Sequence, residues 1–231
     1  MRHERVPGWC VAACAAVLII GLGGLAAADE ETPQQAGEQV GIEGTFVRVA
    51  TNQEGWVVVG YKIANGEVGK EWMLLDVGMT LQRGQKAQTI TRDQLKLVTP
   101  DKQVLSLATQ EEYAQAAGSL AAMERRANEM GDSINYFPPG ADRACRIGFF
   151  TDLAHPMRGP AFDQVELDSN GACVGRVYFH VPGGIQLGNY NFDVKFADSV
   201  LKVPIEIMTE EQAKEFEKKW KEAEKEAKRK K

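Results

Sequence analysis

Histidine is scarce in this chain, with three in 231 residues. None stands in an HExxH arrangement, and no GxSxG elbow, Walker loop or Cys–His signature occurs. The usual nucleophilic, zinc-hydrolase and nucleotide-hydrolase chemistries therefore lack their carriers. Cysteine is nearly as sparse. Cys10 and Cys14 fall in the first 28 residues, which leaves Cys145 and Cys173. Two lone cysteines without a CxxC or neighbouring histidines argue against zinc. Basic excess is missing too, since the chain carries a net charge of −5. The segment 29–208 alone sums to −8, and an acidic surface repels phosphate backbones, so nucleic acid is excluded as a partner. Beyond residue 28 there is no long apolar run.

The one such run lies at the start. Arg2 and Arg5 precede an uncharged stretch from Trp9 to Leu25, and Ala26-Ala27-Ala28 forms a small-residue cleavage site before Asp29-Glu30-Glu31. This pattern predicts an export signal over residues 1–28. The apolar run reaches about twenty residues, so a retained membrane anchor is the alternative. Val11-Ala12-Ala13-Cys14 offers a weaker lipoprotein-type reading. In an exported chain, the pair Cys145 and Cys173 reads as a disulfide.

What is abundant is alternation. From Cys173 to Ile207 apolar residues recur at every second position: Val177, Phe179, Val181; Tyr190, Phe192, Val194, Phe196; Leu201, Val203, Ile205, Ile207. That period predicts three strands, each with one buried face. They are expected to form a meander continuing from a strand at Phe162–Leu167 through the turn Asp168-Ser169-Asn170-Gly171. Pro204 predicts an edge position or a bulge for the last strand. Leu187, Gly188 and Tyr190 resemble a tyrosine corner, whose phenol bonds a nearby backbone group.

Earlier strands are expected at Thr45–Ala50, Trp56–Ala64, Glu71–Gln82, Thr89–Ile90, Leu95–Thr99 and Val104–Leu107, with a further piece at Ile147–Phe150. Residues 29–40 are polar and read as a disordered spacer. A helix near 109–130 opens with a capping box of Thr109 and Glu112 and carries Tyr113, Ala116, Leu120, Met123, Ala127 and Met130 at helical spacing. A second box, Thr209 with Gln212, starts a charged C-terminal helix over 209–231. Phe216 and Trp220 on it are placed to dock its first turns.

These features predict a mainly β protein: one immunoglobulin-like antiparallel β-sandwich over 41–208, with one inserted helix and a charged C-terminal helix. Val58-Val59-Gly60-Tyr61, Glu71-Trp72-Met73-Leu74-Leu75, Leu107 to Tyr113, Tyr136-Phe137-Pro138-Pro139-Gly140 and Val177 to Pro182 together resemble a group of secreted bacterial immunoglobulin-like proteins of uncharacterised function. The resemblance implies a non-enzymatic envelope or extracellular module and supplies no catalytic residues.

Function is expected in the irregular stretch 136–158, which concentrates Tyr136, Phe137, Arg143, Arg146, His155 and Arg158. Aromatic and arginine side chains of this kind dominate protein interfaces. The expected partner is another envelope or extracellular protein, with no cofactor. Membrane contact would come only through an uncleaved signal or weakly through the basic tail. The alternative is a ligand module: a divalent cation at His155 with Asp152, Asp163 and Asp168, or a carbohydrate on Trp56 or Trp72.

Overall fold

The computed structural model describes residues 37–153 and 160–229. The expected export signal, most of the expected spacer, His155 and Arg158 lie outside the described residues.

Two larger sheets share one hydrophobic core. The first holds six strands in the order β1 (Gln39–Gly44), β2 (Val47–Thr51), β3 (Gly55–Gly60), β4 (Trp72–Leu81), β10 (Gly171–His180), β8 (Arg143–Arg146). The second runs β12 (Val200–Ile207), β11 (Gly188–Lys195), β6 (Leu95–Val98), β7 (Val104–Ser106). A separate ladder pairs β5 (Gln88–Thr91) with β9 (Gln164–Leu167). All pairs are antiparallel except β8 with β10. The core is built from alternate strand residues, including Val57 and Val59, Leu75 and Val77, Val177 and Phe179, and Phe192 and Val194. The Phe179 and Phe192 rings meet edge to face at 6.2 Å across the two sheets. Phe196 occupies the space where Gly55 has no side chain; a Cβ there would sit 2.1 Å from its ring.

The long strands fall where alternation places them, and β12 lies at a sheet edge with Pro204 exposed. Edge position is where a residue without an N–H breaks no ladder. The Tyr190 hydroxyl accepts from Gln186 N at 2.8 Å and donates to Gln186 O at 3.1 Å, closing the expected corner. Both capping boxes form as well: Thr109 Oγ1 accepts from Glu112 N at 3.1 Å, and Thr209 Oγ1 from Gln212 N at 3.2 Å.

Several expectations are corrected. The predicted meander does not exist. β9 pairs with β5, β10 belongs to the first sheet, and only β11 and β12 are neighbours. Pro182-Gly183-Gly184, with φ of 81° and 88° at the two glycines, lies in the stretch that carries the chain from β10 in the first sheet to β11 in the second. The strand expected at Trp56–Ala64 ends at Gly60 and gives way to the short helix α1 (Lys62–Asn65). Ile147–Phe150 is not a strand; pairing stops at Arg146, although all four residues are buried. The inserted helix is two helices, α2 (Gln110–Gln115) and α3 (Ala117–Met130), so Gly118 lies in a first turn rather than mid-helix.

The outer face of the first sheet is covered, which period-two reasoning does not anticipate. Leu120, Met123 and Ala127 of α3 join the core cluster, and Tyr178 and Leu74 beneath are buried on the face expected to be wet. Farther along, Ile134, Tyr136 and Phe137 pack on Val47, Val49 and Val58. Phe137 sits directly on Gly78, where a Cβ would meet its ring at 2.5 Å.

The C-terminal helix α4 (Glu210–Arg229) docks by its first turns. Ala213 is buried, and Phe216 lies 5.2 Å from the Arg48 guanidinium, whose other neighbour is the Tyr61 ring at 5.3 Å. Arg48 is itself 5% exposed and donates to the carbonyls of Gly44 and Val47 at 3.0 Å. Asn65 fixes the start of the helix by accepting from Met208 N at 2.7 Å. Among the described residues no helix is long and apolar enough to cross a membrane.

Candidate functional site

Where β8 ends, the wall formed by residues 146–153 swings away from β10 and a cleft opens between this wall and α3. Its volume is about 660 Å³. The floor is β10, with Val174, Arg176 and Tyr178 on the outer face. Glu124 and Asn128 project from α3, and Arg146, Asp152 and Leu153 come from the wall.

The wall is pinned from behind. Arg92 donates to the carbonyls of Phe149 and Ala108 and stacks 4.6 Å from the Phe150 ring centre. Cys145 and Cys173 stand opposite each other in the β8–β10 pair and are joined by a disulfide. Such bonds persist in oxidising compartments. Ile147 N donates to Val174 O at 2.8 Å just beyond it. Tyr113, Phe150 and Tyr178 form a mutually packed aromatic cluster at 4.8–5.0 Å under the cleft, and the Tyr113 hydroxyl donates to Thr151 O at 2.8 Å.

Charge in the cleft is organised around Arg176. Its Nε donates to Asp76 Oδ1 at 3.0 Å, and its Nη1 donates to Glu124 Oε1 and Asn128 Oδ1, each at 2.7 Å. The Tyr178 hydroxyl donates to the other Glu124 oxygen. Both Glu124 oxygens are thus engaged, so this carboxylate holds α3 against β10. Burial pushes the Asp76 carboxyl above its ordinary range, even though the Arg176 bond pulls it back. The Tyr178 and Tyr113 phenols are pushed up as well, first by burial and then by the nearby Glu124 charge. For Arg176, burial opposes the charge, but the bonds to Asp76 and Glu124 outweigh it and raise the pKa.

The residues expected to bind a partner separate. Arg146 is exposed at the cleft mouth and makes no ion pair among the described residues. Arg143, exposed at the other end of β8, pairs with Asp168. Tyr136 and Phe137 are half-buried against the first sheet, and the Trp56 indole donates to Tyr136 O at 2.7 Å, so these aromatics serve packing. Arg176, Glu124, Asn128 and Tyr178 were not expected. Their signal is a pair of charges, Asp76 and Arg176, inside two strongly apolar strands. Such charges need each other when both strand faces are covered. Among the described residues no three His, Cys, Asp or Glu side chains come together to hold a metal ion.

No protein-family model, curated protein or solved structure matches the chain.

Proposed function

We propose that this chain is an exported, non-enzymatic interaction module of the bacterial envelope or extracellular space. It is built as an immunoglobulin-like sandwich and receives a segment of another exported protein in the cleft beside β10. The tyrosine corner at Tyr190 and the core shared by two sheets support the sandwich reading. The export pattern and the disulfide support the location. The observation that carries the binding reading is the cleft itself: a pinned wall, charges of both signs, apolar lips at Val174 and Leu153, and at its mouth the Arg146 guanidinium, which has no ion pair among the described residues. Preorganised walls cost little to bind against. The non-enzymatic reading draws on the way Glu124 and Asp76 are spent on Arg176 and Tyr178, which leaves neither as a proton acceptor for chemistry.

The test compares wild type with Arg146→Glu and Val174→Trp, which reverse the mouth charge and fill the cleft. Arg143→Ala is the control. A partner captured from the native envelope should, once purified, slow hydrogen exchange in residues 146–153 and α3. It should lose affinity for the first two variants and keep it for the third. A partner that binds all four proteins equally places recognition elsewhere. A second reading, a small polar ligand in the same cleft, draws on the volume, which lies within the range of small-molecule sites. A ligand that shifts the melting point of wild type and not of Val174→Trp would favour it.

A further inference from the structure

The two tryptophans open to a ligand role in the sequence meet different fates. Trp56 is spent: its indole N–H bonds Tyr136 O and its ring packs beneath the 134–137 crossing. Trp72 is not. It is the first residue of β4 and faces His180, the last residue of β10, in register. Their rings lie 5.3 Å apart at 46°. Glu112 and Gln115 of α2, with Ala116 between α2 and α3, line a shallow depression of about 310 Å³ here.

The polar groups around it have capacity left. Glu112 uses Oε2 to hold the helix start, accepting from Thr109 N at 2.7 Å and Thr109 Oγ1 at 2.9 Å, while Oε1 has no bond among the described residues. Gln115 donates its amide to Glu111 at 3.2 Å and keeps its carbonyl oxygen. His180 Nε2 stands 3.7 Å from Glu71, too long for a hydrogen bond. The depression thus offers an indole, two acceptor oxygens and ring N–H donors. Among the described residues no Lys or Arg lines it, so a phosphate or carboxylate would find no Lys or Arg to pair with.

We propose that this depression binds a neutral sugar ring, with the apolar C–H face of the ring on Trp72 and its hydroxyls on Glu112, Gln115 and His180. Indole rings supply large apolar contact at small entropy cost. Hydroxyls, which both donate and accept, match a rim that holds acceptors and donors but no unpaired cation. The site is separate from the cleft beside β10 and stands or falls independently of it.

The experiment titrates chain 29–231 with maltohexaose, cellohexaose, chitohexaose and, as a cationic control, choline chloride, following indole N–H resonances. At least one glycan should shift the Trp72 indole saturably and leave Trp56 still. Trp72→Ala should weaken that binding at least tenfold, about 1.4 kcal/mol. Because Trp72 is half-buried, Gln115→Ala on the exposed side of α2 serves as a second variant, with an expected loss of a few-fold at unchanged melting temperature. No Trp72 shift with any glycan, equal affinity in both variants, or a response to choline alone would each overturn the proposal.

Discussion

Gly175 of β10 lies tight against Ile147 of the cleft wall, and adding one methyl there tests how firmly the wall is held. A Cβ on Gly175 would lie 2.3 Å from Ile147 O and 2.7 Å from Ile147 Cβ. Ordinary C···O contacts begin near 3.3 Å, so something must move by about 1 Å. The obstructing atom is backbone, and that backbone is tied by the disulfide two residues earlier, by Ile147 N to Val174 O, and by Arg92 on Phe149 O. Overpacking of this kind costs about 1–3 kcal/mol, and the unyielding wall puts Gly175→Ala in the upper half, near 2 kcal/mol after the entropic gain of removing a strand glycine. For a domain of this size that lowers Tm by about 4–8 °C. Urea denaturation of wild type, Gly175→Ala, Cys145→Ser/Cys173→Ser and the combination measures it. Freeing the wall from the disulfide should shrink the penalty by about 1 kcal/mol, a coupling expected of residues sharing one constraint. A Gly175→Ala cost within 0.5 kcal/mol of zero, or strict additivity with the disulfide variant, would refute the pinned-wall account.

Four further outcomes are expected. Cys145→Ser/Cys173→Ser, which opens a span of 28 residues, should cost roughly 3–4 kcal/mol in denaturant, and intact mass should show no free thiol in the wild type. Tyr190→Phe removes both bonds to Gln186 and should cost about 1–2 kcal/mol without changing the fold seen by circular dichroism. Phe216→Ala uncovers Arg48 and should cost about 2 kcal/mol, with faster hydrogen exchange in the first turns of α4. Asp193, on the outer face of the second sheet, has a buried Oδ1 with no hydrogen bond among the described residues, and burial pushes its pKa from 3.8 up to about 6. A carboxyl raised on folding stabilises the fold fully below the unfolded pKa, and that contribution is lost as pH rises through about 6. Asp193→Asn should therefore stabilise more at pH 7.5 than at pH 4.5; an equal difference at the two pH values would contradict this.

The strands were legible and their partners were not. Alternation located β10, β11 and β12, and Pro204 placed β12 at an edge, because period and proline are local properties. That β9 pairs with β5 and that β10 and β11 lie in different sheets depend on contacts far along the chain, and a turn such as Asp168 to Gly171 looks the same whether or not it closes a hairpin. Tyr178 read as wet because nothing local in β10 announces that α3 will cover it. The site was legible only in composition. Arg146 was expected within an arginine-rich loop, but Arg176 bonds a carboxylate one hundred residues away, and a lone strand charge reads as solvated until its partner is placed.

Arg48 gives α4 a divided character. Its guanidinium is held between Tyr61 and Phe216, and burial lowers its pKa. Lifting the first turns of α4 would strand a cation over an apolar seam, so those turns fold and unfold with the sheet they rest on. Beyond Trp220 no such hold occurs among the described residues; Lys221, Glu222 and Lys225 are exposed. Protease trimming should therefore stop abruptly near Phe216, and a fusion joined after Arg229 would ride on a solvated rod without reporting on the domain beneath.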